Sequence, residues 1–142
     1  MLKISKMADY AVVTLAALAA DESAMMTSGK LSAKTGLPEP TVAKVLKLLS
    51  RDNIIESIRG VNGGYKMILA TPDISLARII AAVDGPVALT SCVEGNNNQP
   101  CSYESCCAVK GRWNAVNKAV QKTLSEITLA DMTGSHKIGD AA

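Results

Sequence analysis

The sequence predicts a mainly α-helical protein with a small β-hairpin wing: a winged helix-turn-helix unit followed by a long dimerisation helix. Three observations support this architecture. The chain of 142 residues has no Phe and one Trp, and its Ala, Val, Leu and Ile content suits packed helices better than a β-sandwich. Helical patterns fill the first third, a Gly-rich hairpin pattern follows them, and a helical apolar seam dominates the last third.

Two helices are predicted before residue 37. Ser5 can cap a first helix that runs to about Ala20, since apolar residues recur there near every 3.6 positions. A second, shorter helix is capped by Thr27 or Ser28 and stopped by Gly36.

A third helix, "TVAKVLKLLSRDN", is opened by Pro38 and Pro40, because proline is favoured in a first helical turn. Its apolar stripe consists of Val42, Val45, Leu46 and Leu49. Two short helices joined by a Gly-containing turn, with a basic second helix, form a helix-turn-helix.

A hairpin is predicted directly after the third helix and makes the unit a winged helix. Its two strands carry the apolar residues Ile54, Ile55, Ile58, Tyr65, Met67 and Leu69. Between them "RGVNGG" supplies the Gly and Asn that a hairpin tip requires. A fourth helix, "ISLARIIAAVDG", is capped by Ser75 and closed by Gly85.

The last predicted helix is long and amphipathic and needs a partner. Its seam runs through Trp113, Val116, Val120, Leu124 and Ile127. A second copy of the chain is a natural partner, so we expect a homodimer. The expected segments are a DNA-binding unit at 1–72, a connecting helix at 73–89, a cysteine loop at 90–107, a dimerisation helix with a short C-terminal segment at 108–132, and a disordered tail at 133–142.

The charge distribution favours a polyanionic partner for the front half. Residues 1–66 carry nine Lys and Arg against six Asp and Glu, whereas residues 67–142 carry six against seven. No segment approaches the ~18 continuous apolar residues of a membrane span. The opening apolar run is interrupted by Asp9 and Tyr10, which disfavours a secretory signal. We therefore expect a cytoplasmic protein without a membrane partner or a small-molecule substrate.

The basic face of the third helix is the candidate DNA contact. The expected contacts are Thr41, Lys44, Lys47 and Arg51 on that helix and Arg59 and Gly63 in the wing, with Lys3, Lys6 and Lys66 as further phosphate contacts. The helix face suits a major groove, and Arg59 suits a narrow minor groove. The competing interpretation is a solvated helix face, but the assembled order of turn, basic helix, hairpin and dimer helix favours double-stranded DNA.

All four cysteines lie in one polar segment, at Cys92, Cys101, Cys106 and Cys107. In a reducing compartment, clustered thiols bind metal or sense redox state more often than they form structural disulfides. Structural zinc sites usually pair cysteines with two to four residues between them. Here the gaps are eight and then four or five residues, with two adjacent cysteines, which favours an iron–sulfur cluster over zinc. Spacing alone leaves both open.

The chain resembles the Rrf-type winged-helix transcription regulators, a family that includes IscR-like, NsrR-like and RirA-like members. The matching stretches are "ISKMADYAVVTLAAL", "LSAKTGLPEPTVAKVLKLLSRDNIIESIRGVNGGYKM", "ISLARIIAAVDGPV" and the cysteine loop leading into a Trp-containing helix. The opening also resembles the branch that controls Suf iron–sulfur assembly operons. The resemblance implies a winged-helix dimer that reads a palindromic operator and carries a 2Fe–2S or 4Fe–4S cluster.

The same resemblance implies which cysteines would be ligands. The family has three cysteines in one loop, with five residues between the second and the third. Cys92, Cys101 and Cys107 satisfy this spacing, and Trp113 then falls where the family's dimer-helix Trp lies. Cys106 is left as a spare thiol, open to oxidation.

The fourth ligand departs from the IscR-like pattern. Those members place a His three residues after the last cysteine, where this chain has Lys110, and His136 lies far along the tail. NsrR-like members resemble this chain in an acidic residue of the first helix, which implies Asp9 of the partner subunit as the ligand. The alternative for Asp9 is a surface carboxylate favoured by the helix dipole.

The sequence therefore predicts a regulator that senses cluster status, iron or redox stress and controls cluster-assembly or iron-homeostasis genes. Three alternatives stay open: a cluster-free thiol switch using Cys106 or Cys107, a zinc-stapled protein-binding module, and a thiol enzyme. The enzyme is disfavoured because the one His lies in the tail, far from the cysteines, and no C-x-x-C is present.

Overall fold

A computed structural model describes residues 2–21, 25–93 and 101–134 of the chain. The described elements, in chain order, are α1 (Lys6–Ala19), α2 (Ser28–Thr35), α3 (Glu39–Arg51), β1 (Ile55–Ile58), β2 (Gly64–Met67), α4 (Leu76–Asp84), α5 (Trp113–Glu126) and α6 (Leu129–Met132). Short 3₁₀ turns occupy Thr71–Asp73 and Glu104–Cys106. The predicted mainly α-helical fold with one antiparallel hairpin is confirmed.

The helix ends lie where local chemistry predicts them. Ser5 Oγ accepts a hydrogen bond from the amide of Ala8 at 3.0 Å, which caps α1. Thr27, rather than Ser28, caps α2 by accepting from the Lys30 amide at 3.2 Å. The residue that ends α2 is Gly36, whose φ of 77° is readily adopted only by glycine.

The wing is a two-stranded hairpin, and the residue before the cap of α2 adds a further main-chain pairing to it. β1 and β2 pair antiparallel in a register that places Ile55 opposite Met67. Met26 then pairs with Tyr65 on the other edge of β2, with N–O distances of 3.0 and 2.8 Å. Because Met26 immediately precedes the cap of α2, these two bonds fix the wing relative to the helix-turn-helix.

One core joins the helices of the winged-helix unit to the C-terminal segment. The predicted stripe of α3 is fully buried, and it packs with α1, α4 and the first strand. The largest core side chains, each at most 1% exposed, are Leu15, Leu18, Leu31, Leu46, Leu49, Ile54, Ile55, Ile74, Ile79 and Leu129. Burying each aliphatic side chain contributes roughly 1.5–3 kcal/mol, so this core positions α3 firmly.

The C-terminal end departs from the simple seam predicted by the sequence. α5 ends at Glu126, so Ile127 lies just beyond the helix, and its carbonyl accepts from the Leu76 amide at 2.9 Å. The amide of Leu129 donates to the Ile74 carbonyl at 2.8 Å. A reciprocal capping box between Thr128 and Asp131 then starts α6 and returns buried Leu129 to the core.

Candidate nucleic-acid interface and cysteine loop

The outer face of α3 is basic and accessible. Lys44, Lys47 and Arg51 are exposed, and Thr41 is half-buried at the start of the same face. The opposite face consists of the buried stripe that anchors α3 in the core. The structure thus places the four predicted α3 residues on one surface, as the helical spacing requires.

Polar contacts hold both ends of α3. At its start, Ser28 Oγ donates to Glu39 Oε1 at 3.2 Å and links the beginnings of α2 and α3. At its end, the Arg78 guanidinium of α4 donates to the Asp52 carbonyl at 3.1 Å and lies 3.6 Å from the Asp52 carboxylate. A movement of α4 would therefore act directly on the end of the basic helix.

The wing presents one unpaired cation and one paired cation among its described contacts. Arg59 is exposed at the end of β1. Lys66 lies 2.9 Å from Glu56 across the hairpin, so its charge is partly compensated, which weakens the expectation that it contacts phosphate. Gly63 closes the tip by donating from its amide to the Gly60 carbonyl at 3.0 Å.

Lys3 and Lys6 lie at a different place from the wing residues. Both are exposed, and they line an apolar groove of about 330 Å³ between the start of α1 and residues of α4, α5 and α6. Asp9 lies in the same groove and is exposed. The predicted basic residues of the N-terminal segment are thus grouped with the candidate acidic ligand.

The cysteine loop contains free thiols at all four positions. Cys92, Cys101 and Cys107 are half-buried, whereas Cys106 is exposed. The Sγ of Cys92 lies 3.3 Å from the Thr90 hydroxyl. Residues 94–100, which separate Cys92 from Cys101, lie outside the described part of the chain, as do His136 and most of the predicted tail.

The described residues do not gather the candidate ligands into a site. Among them, no group of three or more His, Cys, Asp or Glu is arranged to hold a metal ion. The three candidate ligands Cys92, Cys101 and Cys107 are free thiols of one segment, and thiolates are the ligands that iron–sulfur clusters require. Lys110, at the IscR-like His position, pairs with Glu104 at 3.1 Å, and an ammonium group cannot be a ligand.

Sequence reasoning missed Asn117, a residue that attaches the loop to α5. Its side chain is 5% exposed; Nδ2 donates to the Val87 carbonyl at 2.9 Å and Oδ1 accepts from the Leu89 amide at 3.0 Å. The sequence does contain a pattern that could have indicated this role. Residues 113, 117, 120 and 124 lie on one face of the helix, and residue 117 is the polar residue among them.

Comparison with known proteins assigns the family. The Rrf2 family model, described as an iron-dependent transcriptional regulator, matches residues 4–135. The chain belongs to the Rrf2 family. The resemblance inferred from the sequence is confirmed, and with it the roles of DNA binding and transcriptional regulation rather than catalysis. Within the described residues, no helix is long and apolar enough to span a membrane.

Three comparisons illustrate the range of this Rrf2 protein's relatives. A Mycobacterium tuberculosis protein named as an HTH-type transcriptional regulator is 31% identical over 94% of this chain and 82% of its own length. The structure of T. potens IscR is 25% identical, with a TM-score of 0.69 over 99% of this chain and 93% of that one. CymR, the global cysteine regulator of B. subtilis, superposes with a TM-score of 0.72 at 24% identity, covering 96% and 100%. These similarities confirm the winged-helix fold.

Proposed function

We propose that this protein is a homodimeric regulator that senses iron–sulfur cluster status, iron or redox stress and controls cluster-assembly or iron-homeostasis genes. The observation that carries the proposal is the placement of the thiols. All four are free, and all lie in the segment between α4, which contacts the end of α3, and α5, which carries an exposed apolar seam. A change at this segment can therefore reach both the DNA-binding unit and the dimer helix.

The proposed ligands are Cys92, Cys101 and Cys107, with Asp9 of the partner subunit as the fourth. A cluster would supply a centre whose loss or oxidation changes how the loop is ordered. The three thiols are half-buried and free, which suits ligation. Asp9 is exposed beside the groove next to α5, so a second copy of the chain packed on α5 could bring it near that copy's loop.

The proposed DNA interface combines the basic face of α3 with the wing. The α3 side chains would enter the major groove, and Arg59 would reach the adjacent minor groove. Two copies related by a two-fold axis would read half-sites about one helical turn apart. Small changes in the relative position of the two units would then change operator affinity by a coupling of typically ~1–3 kcal/mol.

Replacing Lys47 with alanine is expected to weaken operator binding roughly five- to tenfold at low salt. If Lys47 neutralises one phosphate, the slope of log K against log salt becomes shallower by about 0.9. The measurement is fluorescence anisotropy on operator DNA between 50 and 200 mM salt, roughly the range over which such contacts weaken. Lys122→Ala is the matched control, because Lys122 is an exposed lysine of α5; an equal change of slope in both variants would refute the α3 interface.

Replacing Val116 with glutamate is expected to convert the dimer to a monomer at micromolar concentration. Val116 is an apolar side chain of α5 with 45% exposure, and burying a new carboxylate in a dimer seam is costly. Ala115→Glu introduces the same charge one position away, outside the seam, and is expected to remain dimeric. Sedimentation equilibrium measures both; a dimeric Val116→Glu protein would place the interface elsewhere.

A cluster-free thiol switch is the second candidate, favoured by the exposure of Cys106 beside Cys107. Two thiols would lose two protons and two electrons to hydrogen peroxide, whose O–O bond breaks, forming one disulfide and two waters. Iron and sulfide analysis of protein purified without oxygen separates the candidates. Near-matched iron and sulfide supports the cluster, whereas iron-free protein whose operator affinity changes on peroxide treatment supports the switch.

A further inference from the structure

Asn117 is a buried polar residue in the apolar stripe of α5. Its neighbours on that stripe are Trp113, Val120 and Leu124, and its amide is 5% exposed. Both polar atoms of the side chain are partnered by the main chain of residues 87–89. A buried amide contributes little net stability compared with a well-packed apolar side chain, so its value lies in the position it enforces.

The two hydrogen bonds fix the register of the segment that leads to the thiols. Val87 and Leu89 are alternate residues, and the Asn117 amide bonds to the carbonyl of one and the N–H of the other. This arrangement imitates one rung of a β-ladder, and a slip of the segment by one residue would leave both buried atoms of the amide unpaired.

The segment that Asn117 holds, residues 87–89, lies just before Cys92, the first candidate ligand. Cys92 is three residues after Leu89, and buried Val93 follows it. At the other end of the segment, Ser5 Oγ donates to the Asp84 carboxylate while it also caps α1. The stretch from Asp84 to Leu89 is therefore held to α1 at its start and to α5 at its end.

We propose that Asn117 is the positioning residue that couples the Cys92 side of the loop to α5. This inference rests on the proposed function for the role of Cys92, but the attachment itself does not. While the amide holds Leu89, a rearrangement around Cys92 that also moves Leu89 must displace α5 or break the two bonds. Without the amide, the loop can change while α5 stays where it is.

The first experiment tests the attachment without iron. In reduced, metal-free full-length protein whose other three cysteines are replaced by serine, the alkylation rate of half-buried Cys92 by iodoacetamide reports the exposure of its thiol, which rises when its segment detaches from α5. Asn117→Ala removes both hydrogen bonds and is expected to raise this rate about tenfold. Gln121→Ala removes an exposed amide from the same helix and is expected to leave the rate unchanged.

A second variant guards against a simple loss of folding. Asn117→Asp keeps the shape and the acceptor for the Leu89 amide, but the ionised side chain cannot donate to the Val87 carbonyl. Because the buried carboxylate would also face the Val87 carbonyl oxygen with no proton between them, its alkylation rate is expected to equal or exceed that of Asn117→Ala. If Asn117→Asp and Asn117→Ala, both verified as folded by their thermal transitions, react no faster than Gln121→Ala, the attachment is refuted.

The second experiment tests coupling in the four-cysteine protein. The readout is the ratio of operator affinities before and after reconstitution with iron and sulfide. We expect Asn117→Ala to bring this ratio to about 1, with Gln121→Ala retaining the wild-type ratio. If Asn117→Ala shifts both affinities equally and keeps the ratio, its role is structural and the proposal is overturned. A wild-type ratio of 1 would refute cluster sensing, while the alkylation experiment would still decide the attachment.

Discussion

Replacement of Cys107 by alanine is expected to abolish iron and sulfide binding, whereas replacement of Cys106 is expected to leave both intact. The two residues are adjacent, so the pair tests the ligand register at the resolution of a single residue. The family spacing selects Cys107, and burial agrees, since Cys107 is half-buried while Cys106 is exposed at the end of its 3₁₀ turn. A cluster ligand is favoured where water is partly excluded, because exposure promotes oxidation of the thiolate.

The measurement is the visible absorption spectrum with iron and sulfide content, on proteins purified without oxygen. Cys106→Ala is the matched control, since it removes one thiol from the adjacent position. Loss of colour in Cys106→Ala with retention in Cys107→Ala would reverse the register. Equal partial loss in both would indicate that neither thiol is uniquely required. Colourless wild-type protein would contradict the cluster and favour the cluster-free thiol switch.

Local chemistry explains why most elements could be predicted from the sequence. Ser5, Thr27 and Ser75 each accept a hydrogen bond from an amide three residues later, and such caps act within one turn. The stripe of α3 was also predictable, because a period of 3.6 residues determines which positions share a face. Lys44, Lys47 and Arg51 then had to face outward.

The parts that could not be predicted depend on contacts distant in sequence. The pairing of Met26 with Tyr65 and the return of Leu129 to Ile74 are main-chain hydrogen bonds, which any residue types can make. The amide of Asn117 was visible as a polar residue in a stripe. Its partners at Val87 and Leu89 were not, because they are main-chain atoms about thirty residues away.

The residues of the candidate ligand site could be selected from the sequence, but their arrangement in space could not. The resemblance selected Cys92, Cys101 and Cys107, and all three are free thiols. In the proposed site the three thiols would be brought together by a cluster and completed by a partner subunit, and the sequence of one chain does not determine that geometry. Asp9 and the cysteine register therefore remain predictions.

Replacement of Gly63 by alanine is expected to disable the wing while leaving the core intact. A Cβ at Gly63 would lie 2.2 Å from the Ile58 carbonyl oxygen and 3.0 Å from the carbonyl carbon of Arg59. Both neighbours are main chain and cannot rotate away, so β1 must shift at its end. The shift displaces Arg59, the proposed minor-groove contact. Because the tip is exposed, the hairpin can relieve most of the strain by moving, and the free energy of unfolding is expected to fall by only about 1–3 kcal/mol.

The affinity for operator DNA is expected to fall at least roughly tenfold, a larger effect than the loss of stability. The reason is that DNA contact requires the hairpin conformation that the substitution distorts. Gly29→Ala is the matched control: a Cβ there would lie 3.6 Å from Glu39 Oε1, an ordinary contact, and alanine is favoured over glycine inside α2. Thermal unfolding and anisotropy on the same two variants separate the effects. Wild-type affinity in Gly63→Ala would show that the wing does not contribute to binding, whereas an equal loss of affinity in both variants would show that the effect is not specific to the wing.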